Sequence, residues 1–92
     1  MTIQKLSVGI LAPVPEVRDS ISGQVESTQL ASVKLATDEY CLVEDDNATQ
    51  RFVEARPDII LVDMHDPRAG IKSLFSLHAA LPDTCLYACG PV

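Results

Sequence analysis

The run Arg56-Pro57-Asp58-Ile59-Ile60-Leu61-Val62-Asp63-Met64-His65-Asp66-Pro67 constrains the fold of this 92-residue chain more than any other stretch. Arg56-Pro57 stops whatever precedes it, the apolar block Ile59 to Val62 follows, and an acid and then a proline close the run. A short uninterrupted apolar block describes a strand covered on both faces, which is the condition of a parallel sheet. Asp63 then stands at the strand's carboxyl end, where open α/β sheets place their working residues.

The rest of the chain supplies the partners such a strand needs. Leu6 to Ala12 reads as a first strand, closed by Pro13 and Pro15. Pro15 suits a first helical turn, and Val17, Ile21 and Val25 recur at helical spacing behind it. A second strand begins near Ala31 and takes in Val33 and Leu35, while Glu39-Tyr40-Cys41-Leu42-Val43 reads either as its extension or as a loop. Asp46 or Asn47 is placed to cap a second helix, whose Ala48, Phe52 and Ala55 share one face before Arg56-Pro57 ends it. The central strand is expected over Asp58 to Val62. Ile71, Leu74, Leu77 or His78, and Leu81 pattern a third helix, stopped by Pro82-Asp83, and Thr84 to Cys89 reads as a fourth strand. The alternation predicts a single α/β domain with parallel pairing and right-handed crossovers.

Composition narrows the functional classes. The chain is 47% hydrophobic and 22% charged, as globular domains are, and no apolar run is long enough to span a membrane. Seven basic residues face 13 acidic ones, a net charge of −6, with no basic cluster to neutralise phosphates, so direct nucleic-acid binding is disfavoured. The start Met1-Thr2-Ile3-Gln4-Lys5 lacks signal-peptide architecture, which gives a cytoplasmic location as the expectation. Cys41, Cys85 and Cys89 fit reduced thiols, and Cys85 and Cys89, four apart on one strand face, read as small core residues. No nucleophile motif or phosphate-cradling glycine loop occurs, so no enzyme is expected.

Three segments carry a family resemblance: Pro15-Glu16-Val17-Arg18 after the first strand, Arg56 to Asp63 with Pro67 four residues on, and Ala80-Leu81-Pro82-Asp83-Thr84 before the fourth strand. Together they resemble the receiver domains of bacterial response regulators. The resemblance implies a flavodoxin/CheY-like open parallel sheet of order 2-1-3-4 with flanking helices. It also implies a two-component phosphorelay context, an output domain or partner protein, and Asp63 as phosphoacceptor. Receivers hold magnesium with an acidic pair at the end of the first strand and use a hydroxyl at the end of the fourth. Here Ala12 and Pro13 stand at the first two places, and Gly90, or Cys89 with a one-residue slip, at the third. None offers the family's ligand or hydroxyl, which leaves Asp66 as the one weak metal candidate and no cofactor as the expectation.

A receiver also continues with a helix, a strand and a helix beyond its fourth strand, so the resemblance makes residues 1–92 an incomplete domain. The expectation is a degenerate receiver acting through protein contacts, with Asp63 vestigial or atypical. An alternative is a pseudo-receiver used as an interaction or localisation module of an assembly ATPase. A remote one is a cobalamin-binding-like domain, since Asp63-Met64-His65 is similar to the Asp-x-His loop of that family, although Arg68 stands where that family has glycine. Thr84, Cys85, Leu86, Tyr87, Ala88 and Cys89 would form a sheet edge, which points to a homodimer built there or around Gly90-Pro91-Val92.

Overall fold

A computed structural model describes residues 5–89. Its elements follow the expected alternation: β1 (Leu6–Leu11), α1 (Pro15–Ser27), β2 (Ala31–Thr37), α2 (Asn47–Ala55), β3 (Ile59–Asp63), α3 (Pro67–Ala80) and β4 (Cys85–Cys89). The four strands form one sheet of order β2-β1-β3-β4, every pair parallel. This is the flavodoxin/CheY-like α/β class read from the sequence. No helix among the described residues is long and apolar enough to cross a membrane.

The two sheet faces are covered unequally. On one, α1 lays Val17, Ile21 and Val25 over Val8, Ile10 and Ala12, and none of its residues is fully buried. On the other, α2 and α3 enclose a larger core of Leu11, Cys41, Phe52, Ile60, Val62 and Leu77. Phe52 lies so close to β1 that a Cβ at Gly9 would stand 2.8 Å from its ring, so the glycine sets how near α2 approaches the sheet. One irregularity in the β1–β2 ladder, between Val8 and Gly9, turns Val33 towards α1 and Leu35 towards the opposite core.

The ambiguous segment Glu39–Val43 is a loop, ordered by the cap of α2. Asp46 Oδ1 accepts the Thr49 N–H at 2.8 Å, Oδ2 accepts the Leu42 and Val43 N–H groups, and the Thr49 hydroxyl donates to the Val43 carbonyl at 2.7 Å. Burial opposes ionisation of Asp46, but these hydrogen bonds outweigh it and hold the carboxyl below its ordinary pKa. At the other end of the sheet, Asp58 accepts the Ser7 N–H and hydroxyl, which lower its pKa and tie the entry of β3 to β1.

Two expectations need correction. Of the stripe expected on α3, Leu77 is buried and Leu74 and Leu81 pack against the core, but Ile71 is exposed with Phe75, while Gly70, Ser73 and Ser76 turn inward. Small residues let the helix approach the loop after β2, where the Ser73 hydroxyl accepts the Cys41 N–H at 2.9 Å while donating to the Ala69 carbonyl. Cys85 and Cys89 share a face as expected, but Cys85 is exposed and Cys89 half-buried, because α1 covers β1 and β2 and does not reach β4. Only Cys41 is a core thiol.

Candidate functional site

The polarity of the sheet fixes where a site can form. From β1 the chain crosses to β2 on one side, and β3 lies on the other, so the order reverses between β1 and β3 and a crevice is expected at their carboxyl ends. Leu11 pairs with Val62, which brings Ala12 beside Asp63 at that point.

Asp63 is 2% exposed. Burying a carboxylate is costly unless hydrogen bonds replace its water. They come from two residues along the chain: the His65 ring Nδ1 lies 2.7 Å from Oδ1, and the His65 N–H reaches Oδ2 at 3.4 Å. The imidazole is 48% exposed, so the pair has one buried and one half-exposed member. The main chain of Asp63 is held as well, since the Tyr40 hydroxyl donates to its carbonyl at 3.1 Å and accepts the Asp66 N–H at 3.4 Å. Burial, above all, raises the Tyr40 pKa; the Asp66 amide opposes the shift and the charges of Asp63 and Asp66 add to it.

Among the described residues, the positions that the receiver resemblance marks around this carboxylate carry no second carboxylate and no hydroxyl. Ala12 is fully buried, and its carbonyl accepts the Arg18 guanidinium at 2.9 Å. Arg18 thus brings a fixed positive charge to the end of the strand where receivers carry acids. Pro13 is half-buried and has no side-chain oxygen. Asp66, the weak metal candidate, is the N-cap of α3, its Oδ1 accepting the Ala69 N–H at 3.2 Å. The Thr37 hydroxyl is buried at the end of β2 without a hydrogen-bond partner among the described residues. Cys89 pairs with Asp63 across β3 and β4, and burial with the charge of Asp63 pushes its thiol up. Gly90 lies outside the described residues. No group of three or more His, Cys, Asp or Glu suited to a metal occurs among the described residues.

Sequence reasoning placed Asp63 at the carboxyl end of the central strand, where it lies, but did not find its hydrogen-bond partners. His65 reads as an ordinary loop histidine, although the spacing Asp63-x-His65 was the available signal for the contact. Tyr40 and Arg18 bond main-chain carbonyls that only the fold brings near them, and no motif marks them.

A second feature lies on α3 and β4. Ile71, Leu74, Phe75, His78 and Leu86 line an apolar groove of about 370 Å³, and Phe75, 72% exposed, separates it from a shallower depression bounded by Val43, Glu44, Asp45, Ser76 and Ala79. Of the expected edge residues Thr84 to Cys89, Thr84 lies in the turn before β4, its hydroxyl donating to the Pro57 carbonyl. Compared with known proteins, the chain matches no family model and no curated sequence.

Proposed function

We propose that the chain is a receiver-like regulatory domain that works through protein contacts, with Asp63 serving as a structural carboxylate in place of a phosphoacceptor. The observation that supports this reading most is the state of Asp63: buried, tied to His65 at 2.7 Å, and next to Ala12 and an anchored arginine in place of an acidic pair. Acyl-phosphate formation needs a cation to neutralise the incoming oxygens and an approach to the carboxylate. Ala12 and Pro13 offer no side-chain oxygen to hold a metal ion, and Asp63 is 2% exposed. Contacts with other proteins would fall to the exposed apolar surface of α3 and β4, since contiguous patches of that kind mark interaction sites.

Incubation with acetyl phosphate and magnesium followed by intact-mass measurement tests the proposal. The expected spectrum is that of the unmodified chain. A stoichiometric phosphoryl adduct that disappears in Asp63→Asn would overturn it.

One observation favours a second reading. A half-exposed imidazole with one nitrogen on a buried carboxylate resembles a metal-ligating histidine with its supporting acid. That is the logic of the cobalamin-binding loop, against which stand Arg68 in the glycine position and the placement after β3. Titration with hydroxocobalamin decides it: this second reading requires a spectral change that His65→Ala abolishes.

A further inference from the structure

The hydrogen-bond phase of β4 determines what can pair with it. The Cys85 N–H donates to the Asp58 carbonyl and the Cys89 carbonyl accepts the Met64 N–H, both on the β3 side. In a parallel ladder, alternate residues spend both main-chain groups on one neighbour, so Cys85, Tyr87 and Cys89 face β3 while Leu86 and Ala88 turn N–H and C=O outward. Among the described residues β4 is an edge, and it carries none of the charges or prolines that protect edges.

The geometry points to a second copy of this chain as the occupant: β4 pairs antiparallel with β4 of the partner about a twofold axis at Tyr87, bringing Cys85 of each copy opposite Cys89 of the other. This register pairs the outward groups of Leu86 with those of the partner's Ala88 in both copies, as hydrogen-bonded pairs. Cys85 and the partner's Cys89 then fall at a non-hydrogen-bonded position, where Cα atoms are about 4.5 Å apart, within disulfide range. Within one copy the two cysteines are four residues apart along a strand, about 13 Å, and do not bridge. Leu86 meets the partner's Ala88, a large residue against a small one.

Charge and area also bear on the choice of occupant. A chain of net charge −6 repels its own copy over most of its surface, but Thr84 to Cys89 carries no charge. Phe75, Tyr87 and Ile71 are 72%, 55% and 47% exposed. By the size of such side chains they offer on the order of 300 Å² per copy, hence about 600 Å² across the pair. With the edge main chain this remains below the roughly 1,200 Å² of a standard interface, so the reduced dimer exchanges readily and the thiols can lock it. The inference rests on the reading of the domain as a protein-contact module and names its partner.

Oxidised glutathione tests the register. Each bridge consumes one Cys85 thiol, one Cys89 thiol and one oxidised glutathione: the first thiolate displaces one glutathione, the second thiol displaces the other, and two reduced glutathiones leave with the protons. Wild type should give a covalent dimer on a non-reducing gel. Cys85→Ser and Cys89→Ser should each fail alone, whereas an equal mixture of the two should crosslink. Crosslinking by either variant alone would overturn the register. Under reducing conditions, sedimentation should show a concentration-dependent dimer weakened about tenfold or more by Tyr87→Lys, which sets two like charges face to face. A reduced monomer at several hundred micromolar, or a dimer indifferent to Tyr87→Lys, would overturn the pairing itself. The acetyl phosphate result is independent of these, so the two proposals can fail separately.

Discussion

Replacing Asp63 by alanine separates a structural carboxylate from a phosphoacceptor by the sign of its effect on stability. In an acidic cluster one carboxylate repels its neighbours, and removing it relieves the fold. Here the carboxylate has a hydrogen-bonded partner in His65 at 2.7 Å and no second acid in contact, so removing it takes away attraction. A hydrogen bond to a charged group contributes about 1.5–3 kcal/mol, and breaking a fully buried pair costs about 3–5 kcal/mol. His65 is 48% exposed and water satisfies it once Asp63 is gone, so the lower range applies. Asp63→Ala should therefore cost about 2 kcal/mol. In a domain of this size that lowers Tm by roughly 8–16 °C. Urea unfolding followed by circular dichroism should show a lower midpoint with an unchanged slope. Asp63→Asn keeps one acceptor for His65 and should lose less. Equal or greater stability of Asp63→Ala would refute the reasoning.

Three further outcomes follow from the fold. Gly9→Ala should destabilise by about 1–3 kcal/mol in the same assay, because Phe52 on one side and Pro57 on the other leave no room for a Cβ. Native thiol labelling should modify Cys85 fastest and Cys41 only on unfolding, since Cys41 is buried and its thiol is pushed up to about 11 chiefly by burial. Asp46 and Asp58 have folded pKa values below the unfolded ones, so their contribution is complete above the ordinary aspartate value of about 3.9 and is lost as pH falls through the depressed folded values. Acid titration of the unfolding midpoint should fall below pH about 4, less steeply in Asp46→Asn.

The order of the strands was what the receiver resemblance implied, and the alternation of strands and helices was legible in itself because prolines flank β1, β3 and β4. The rotation of α3 was not. Ser73 and Ser76 look like solvent-facing residues, yet small size matters more than polarity where a helix approaches a loop closely and a serine hydroxyl finds main-chain partners. The cysteines of β4 misled for a related reason: free cysteine is usually buried, but that holds for strands covered on both faces, and α1 stops short of this one. At the site, Asp63 was visible from its place after an apolar strand, whereas Tyr40 and Arg18 were not, because each bonds a carbonyl far from it in the chain or across a turn.

The phenol oxygen of Tyr40 bridges two segments that the sheet itself leaves separate, the loop after β2 and the loop after β3. It works as a mechanical pin. While it is in place, a displacement of the start of α3 pulls on the carboxyl end of β3 and on the chain leading to Cys41, whose amide is itself held by Ser73. The circuit closes through α3, the helix on which Phe75 and Ile71 stand exposed. Tyr40→Phe cuts that circuit at one atom and would leave the two loops free to fluctuate independently.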